Sequence, residues 1–127
     1  MRIEGTTTEA PKPVATYSQA IRAGDLVSVA GQAGIDPATA AIVDGGLPAQ
    51  MERTRANIEA ALASCGATMD DVVRVDVFLS DLADFAEMNS SYQHWFTAPY
   101  PTRTTVGTQL APGLLVEVTA LAVAPVQ

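Results

Sequence analysis

The chain has 127 residues, 48% of them hydrophobic and only 17% charged, enough to bury a core as one domain spanning 1–127. Seven basic residues against fourteen acidic ones give a net charge of −7 without any run of like charge, which argues against binding a nucleic-acid backbone. No apolar stretch reaches the ~18–20 residues that span a bilayer, MRIEGTTTEAPKP lacks the apolar core of a signal peptide, and a single cysteine, Cys65, with a single histidine, His94, allows neither an internal disulfide nor a zinc-type cluster. A soluble cytoplasmic domain without a structural metal is the expectation.

Residues 1–15 are polar and marked by Pro11 and Pro13, and predict a lead-in that is loosely ordered over 1–12. TYSQAIRAGD (16–25) reads as a short strand ending in a Gly-Asp turn, and LVSVAGQAG (26–34) as the second strand of a hairpin. The breaker-rich DPATAAIVDGG (36–46) predicts a loop. From Pro48 to Cys65 the chain is free of glycine, with Met51, Ile58, Ala61, Leu62 and Cys65 at roughly helical spacing and Gly66 as the stop. VVRVDVFLSD (72–81) carries Val73, Val75, Val77 and Leu79 at period two. LADFAEMNSSYQHWF (82–96) returns to helical spacing, its stripe made of Leu82, Phe85, Met88 or Asn89, Tyr92 and Phe96, with Asp81 as N-cap. Two last strands, about 103–110 and 114–124, are joined by Ala111-Pro112-Gly113. The order is ββαβαββ, an α+β domain with two helices on one sheet.

The final strand places Val116, Val118, Ala120 and Ala122 on one face, and Leu115, Leu121 and Val123 on the other beside Glu117 and Thr119. Two helices cover one face of a sheet, so an apolar second face predicts burial against another copy in a closed homo-oligomer.

Arg103 and Glu117 are isolated charges in this apolar neighbourhood. If the Pro112-Gly113 turn makes a hairpin pairing residue 107 with 117, they share a face roughly 13 Å apart along the ladder. Two readings stand open: half-buried interface residues satisfied by neighbours, or a site. A guanidinium at an oligomer seam suits bidentate capture of a carboxylate, and a nearby glutamate can position or activate water. Tyr17 offers a hydroxyl and Asn89 an amide on the helix stripe, each with a packing role as the alternative. His94 reads as a surface residue, Cys65 as a small core side chain, and Asp70-Asp71 as a solvated turn. Gly31, Gly34, Gly45 and Gly46 match neither phosphate-binding glycine motif.

The block PYPTRTTVGTQLAPGLLVEVTALAV resembles the signature of the RidA/YjgF family of reactive-intermediate imine deaminases: Pro-x-Arg, a short strand, a turn, then an apolar strand with Val-Glu. The Tyr17 lead-in, VAGQAGIDP (29–37) and VFLSDLADFAEMNSSYQHWF (77–96) agree with it, so the likeness runs from about residue 12 onward. The resemblance implies a chorismate-mutase-like α+β fold, a homotrimer around a central barrel of sheets, and sites in the clefts between subunits. It also implies cofactor-independent hydrolysis of enamines and imines of amino acids to 2-oxo acids and ammonia. By position, Arg103 takes the place of the carboxylate-binding arginine and Glu117 that of the glutamate that places the hydrolytic water. Tyr17 and Asn89 align with site-lining residues, and Gly31 with backbone bordering the pocket. The chain departs from the family pattern at Ala30 for serine, Thr105 for cysteine and Thr119 for a second acid. Thr105 is thereby the expected substrate-facing difference, and a dedicated catabolic role of aminomuconate type is an alternative substrate reading. A non-catalytic carboxylate-binding regulator is the competing function. Chorismate mutase chemistry asks for a second cation near Arg103, and RNA cleavage is disfavoured by the net charge.

Overall fold

The computed structural model describes residues 1–126. Eight elements follow in chain order: β1 (Ile3–Gly5), β2 (Ala20–Ala23), β3 (Leu26–Ala33), α1 (Gly46–Ser64), β4 (Val72–Leu79), α2 (Phe85–Tyr92), β5 (Thr102–Gly107) and β6 (Val116–Val123). From β2 onward this is the expected ββαβαββ order. The lead-in contributes a strand that its sequence did not signal, Ile3–Gly5, which pairs antiparallel with Ala20–Arg22. Three residues are too few to show an alternation.

The expected α1 stripe is realised as far as Leu62, and its last expected member, Cys65, is half-buried at the helix end. Leu47, Met51, Ile58, Ala61 and Leu62 are buried along one side. Gly66 closes the helix with φ +77°, its N–H donating to the Ala63 carbonyl while the Ala67 N–H reaches Leu62, both at 3.0 Å. That left-handed glycine satisfies two carbonyls that the helix end would leave free. At the second helix, the Asp81 carboxylate accepts from the Ala83 N–H at 2.9 Å and caps a short 3-10 turn that runs into α2. Its buried side is shorter than the stripe predicted for it. Leu82 and Phe85 are exposed, α2 ends at Tyr92, and Met88, Tyr92 and Trp95 enter the core.

The six strands form one mixed sheet in the order β1-β2-β3-β6-β4-β5. Along β6, Val116, Val118, Ala120 and Ala122 are buried, whereas Glu117, Thr119 and Leu121 are half-buried. The buried set packs in one core with Met51, Ile58 and Leu62 of α1 and Val75, Val77 and Leu79 of β4. Each valine, leucine, isoleucine or methionine among them, withdrawn from water, is worth about 1.5–3 kcal/mol. On the other side Leu26, Val73 and Val123 remain exposed. Among the described residues no helix is long and apolar enough to cross a membrane.

The topology corrects one expectation that matters for function. β5 does not form a hairpin with β6. It pairs in parallel with β4, Arg103 opposite Val75, while β6 inserts between β3 and β4 with Glu117 opposite Phe78 and Ala33. The reason is the connection. A strand–helix–strand crossover through α2 returns β5 alongside β4 in the same direction.

Candidate functional site

Residues opposite one another in a ladder share a face. Arg103 therefore lies on the face of Val75, toward the helices, and Glu117 on the face of Phe78, away from them. The two charges expected on one face point to opposite faces of the sheet, with β4 between their strands. Within one chain they cannot serve the same small molecule.

The Arg103 side is built by α2 and β5. The guanidinium Nη1 donates to Asn89 Oδ1 at 2.8 Å. Its central carbon lies 4.6 Å from the Tyr92 ring centroid and 5.4 Å from that of Phe85. Among the described residues no carboxylate lies within salt-bridge distance of it; the ion pairs join Arg55 to Glu52 and Glu59, and Arg74 to Asp76. Tyr92 is only 7% exposed and stacks with Trp95 and Phe96 at 5.3 and 5.6 Å between centroids. Burial pushes its phenol above the ordinary tyrosine range, with Arg103 pulling weakly the other way. Its hydroxyl is buried and without a hydrogen-bond partner. A cleft of about 420 Å³ is lined here by Arg103, Asn89, Tyr92, Gln93, Tyr100 and Pro101. Thr105 shares the Arg103 face two residues on, half-buried, but does not line the cleft. Gln93 and Tyr100 were not anticipated. The exposed Tyr100, between two prolines just ahead of Arg103, was the available signal.

The Glu117 side is built by β3, β6 and the lead-in. β3 is irregular between Val29 and Gln32, and there Gly31 passes close to Glu117. A Cβ on Gly31 would lie 2.5 Å from Glu117 Oε2, so the carboxylate rests on bare backbone. Tyr17 is exposed, its hydroxyl accepting a long 3.4 Å bond from the Val14 N–H. These residues share a cleft of about 490 Å³ whose other walls include Val14, Ile35 and Leu114. Three of the expected residues, Tyr17, Gly31 and Glu117, thus come together here, while Arg103 and Asn89 come together elsewhere. Ala30 opens into an adjoining cleft with Tyr17 and Ser28. Among the described residues no three His, Cys, Asp or Glu side chains cluster as a metal site would require.

One chain presents two separate clefts, one beside a cation held by an amide and an aromatic ring and the other, mostly apolar, beside an anion. The model of the family described as Endoribonuclease L-PSP matches residues 7–124. A RutC family protein of Pyrococcus abyssi is 45% identical over 117 residues, 91% of this chain and 92% of the relative. A 2-iminobutanoate/2-iminopropanoate deaminase of Dermatophagoides farinae is 35% identical over 102 residues, 80% of each chain. Among solved structures, RidA from an Antarctic Psychrobacter superposes with a TM-score of 0.90 at 37% identity, covering 95% of this chain and 98% of that one. TdcF of E. coli with bound serine does so with a TM-score of 0.90 at 30% identity, over 95% and 98%.

Proposed function

The chain belongs to the Endoribonuclease L-PSP family, which includes the RidA and YjgF proteins, and on that premise we propose that it is an imine and enamine deaminase. It hydrolyses reactive 2-imino acids derived from amino acids to 2-oxo acids and ammonia, without a cofactor, in sites formed between the subunits of a homotrimer. The observation that carries this reading is the placement of Arg103 and Glu117 on opposite faces of one sheet, each beside its own open cleft. Two half-sites on opposite faces become one site when a second copy brings its Glu117 face to the first copy's Arg103. The exposed apolar residues Leu26, Val73 and Val123 support a copy-on-copy contact.

The chemistry follows from the groups. Arg103, held by Asn89 and stacked on Tyr92, grips the substrate carboxylate through its fork. Glu117 takes a proton from a water as the oxygen adds to the C=N carbon, and the imine nitrogen is protonated. The resulting carbinolamine collapses to the carbonyl and expels ammonia. An enamine joins the path after protonation at its β-carbon. The imine carbon is already electrophilic, so positioning and modest proton transfer suffice. A relative solved with serine bound supports a small carboxylate as the ligand. RNA cleavage is the weaker reading for a chain of net charge −7.

The test is ammonia release from imines generated in situ by an amino-acid oxidase, with a panel of amino acids. Arg103→Ala is expected to abolish the acceleration while the oligomer persists on a sizing column. Full activity in that variant would sink the assignment. No acceleration by the wild type with any imine would favour a carboxylate-binding regulator or a dedicated substrate.

A further inference from the structure

We infer that Gln19, Gln50 and Asn57 are positioning residues that fix the walls of the Glu117 cleft, an inference that rests on the deaminase reading above. The cleft is walled by three segments: the lead-in with Pro11 and Val14, the end of β3 and the turn after it with Ala33 and Ile35, and the loop before β6 with Leu114. Each is fastened by one buried side-chain amide. Gln19, 3% exposed, accepts from the Thr7 N–H at 2.8 Å through Oε1. Its Nε2 is shared among the carbonyls of Thr7, Ala10 and Pro11 at 3.0, 3.1 and 2.9 Å. Asn57, fully buried in α1, donates to the carbonyls of Ala33 and Ile35 at 3.0 and 2.9 Å and accepts from Arg53 Nε at 3.0 Å. Gln50, 4% exposed on the same helix, donates to the Gly113 carbonyl at 3.1 Å and accepts from the Leu115 N–H at 2.8 Å.

Backbone groups in loops are ordinarily satisfied by water at little cost. Burying an amide requires that its bonds be made, and each of these three spends them on a different wall of the same cleft. The loop on the Arg103 side, Thr97–Pro101, receives no side-chain bond of this kind among the described residues. The asymmetry matches the two roles. Arg103 is held directly, by Asn89 and the Tyr92 ring, whereas the water that Glu117 activates is confined by the walls of its cleft, whose positions must be fixed to a fraction of an ångström.

The experiment uses the full chain with Gln19→Met and Gln50→Met, near-isosteres that cannot make these bonds. Measured are kcat and KM for imine hydrolysis, oligomer size, Trp95 fluorescence as a report of folding, and hydrogen exchange of segments 7–14 and 111–115. The expected result is kcat lowered about tenfold to hundredfold with KM within about twofold, and faster exchange confined to the segment released. If Gln50→Met does not fold, Gln50→Glu, which keeps the acceptor for Leu115 and loses the bond to Gly113, reads the same split, and if Gln19→Met does not fold, Gln19→Glu, which keeps the acceptor for the Thr7 N–H and loses the bonds to the Thr7, Ala10 and Pro11 carbonyls, does so. Faster exchange with kcat still within about twofold of wild type overturns the inference, as does a kcat loss accounted for by unfolding or dissociation. The wild type and Glu117→Gln separate the two failures. If the wild type accelerates ammonia release from no imine, the deaminase reading itself fails. If the wild type is active and Glu117→Gln is not, while the Met variants keep the wild-type kcat, only the positioning role fails.

Discussion

Tyr92→Phe removes a group that the fold buries at a loss. The hydroxyl has no hydrogen-bond partner and the side chain is 93% buried, while the ring supports Arg103 at 4.6 Å. A buried, unsatisfied polar group costs about 1–3 kcal/mol relative to its solvated state, and deleting one oxygen leaves a void too small to offset more than part of that. The expected gain is about 1 kcal/mol. With an unfolding entropy near 2.1 cal/mol/K per residue, the 127 residues give about 0.27 kcal/mol/K, so the midpoint rises by about 4 °C. Tyr92→Leu is the contrasting variant: it loses the ring under the guanidinium, worth about 0.5–2 kcal/mol, as well as the packing against Trp95 and Phe96, and falls by about 3 kcal/mol. The advantage of phenylalanine also depends on pH. The folded-state phenol is raised above its unfolded value, so the tyrosine protein keeps its full stability below that ordinary value, about pH 10, and loses part of it as pH rises from there through the higher folded value. Phenylalanine has no such loss, and the gap between the proteins widens above about pH 10. The assay is chemical and thermal denaturation read by Trp95 fluorescence at one protein concentration. A Tyr92→Phe protein less stable by 1 kcal/mol or more would show that the hydroxyl is satisfied, and a gap flat with pH would show that burial does not raise the phenol; either result refutes the reasoning.

Arg103→Lys keeps the charge but loses the planar fork, the Asn89 geometry and the stack on two rings; kcat/KM in the oxidase-coupled assay is expected to fall by about 10²–10³, and a drop of less than about threefold would remove bidentate carboxylate capture from the mechanism. Gly31→Ala places a methyl 2.5 Å from Glu117 Oε2 without requiring an unusual φ, so it displaces the carboxylate more than it disturbs the fold. Steady-state kinetics should show kcat down at least about tenfold with a stability change near 1 kcal/mol, and an unchanged kcat would mean the Glu117 carboxylate position is immaterial. Arg55→Ala removes two exposed ion pairs and should cost less than about 1 kcal/mol by urea titration. Arg55 holds the Glu52 carboxyl below its ordinary value, so even that small contribution is present above the unfolded carboxyl value and fades as pH falls through the folded one.

The parts of the fold that sequence shows are those written as a period. The alternation of 116–123 named the buried face of β6 residue by residue, and the spacing from Met51 to Leu62 named that of α1. A period gives a face but not a neighbour. The Pro112-Gly113 turn signals a hairpin, yet β6 lies two strands from its predecessor in the sheet order, because β4, α2 and β5 form a crossover unit that takes β5 to the edge. The crossover rule applied to the predicted strand–helix–strand order would have placed β5 beside β4, and the parity of Val75 would then have turned Arg103 toward α2. The amides Gln19, Gln50 and Asn57 were illegible for a different reason: a polar residue within a strand or helix reads as solvent-facing until a folded loop supplies the backbone groups it satisfies. The hairpin assumption put Arg103 and Glu117 on one face of the sheet, and it is this pair that the crossover separates. With Arg103 and Glu117 on opposite faces, a single copy cannot bring carboxylate capture and water delivery to one substrate. On the proposed reading activity depends on assembly itself, and a variant that dissociates the oligomer without unfolding the chain is expected to lose deamination even with Arg103, Asn89, Gly31 and Glu117 all in place.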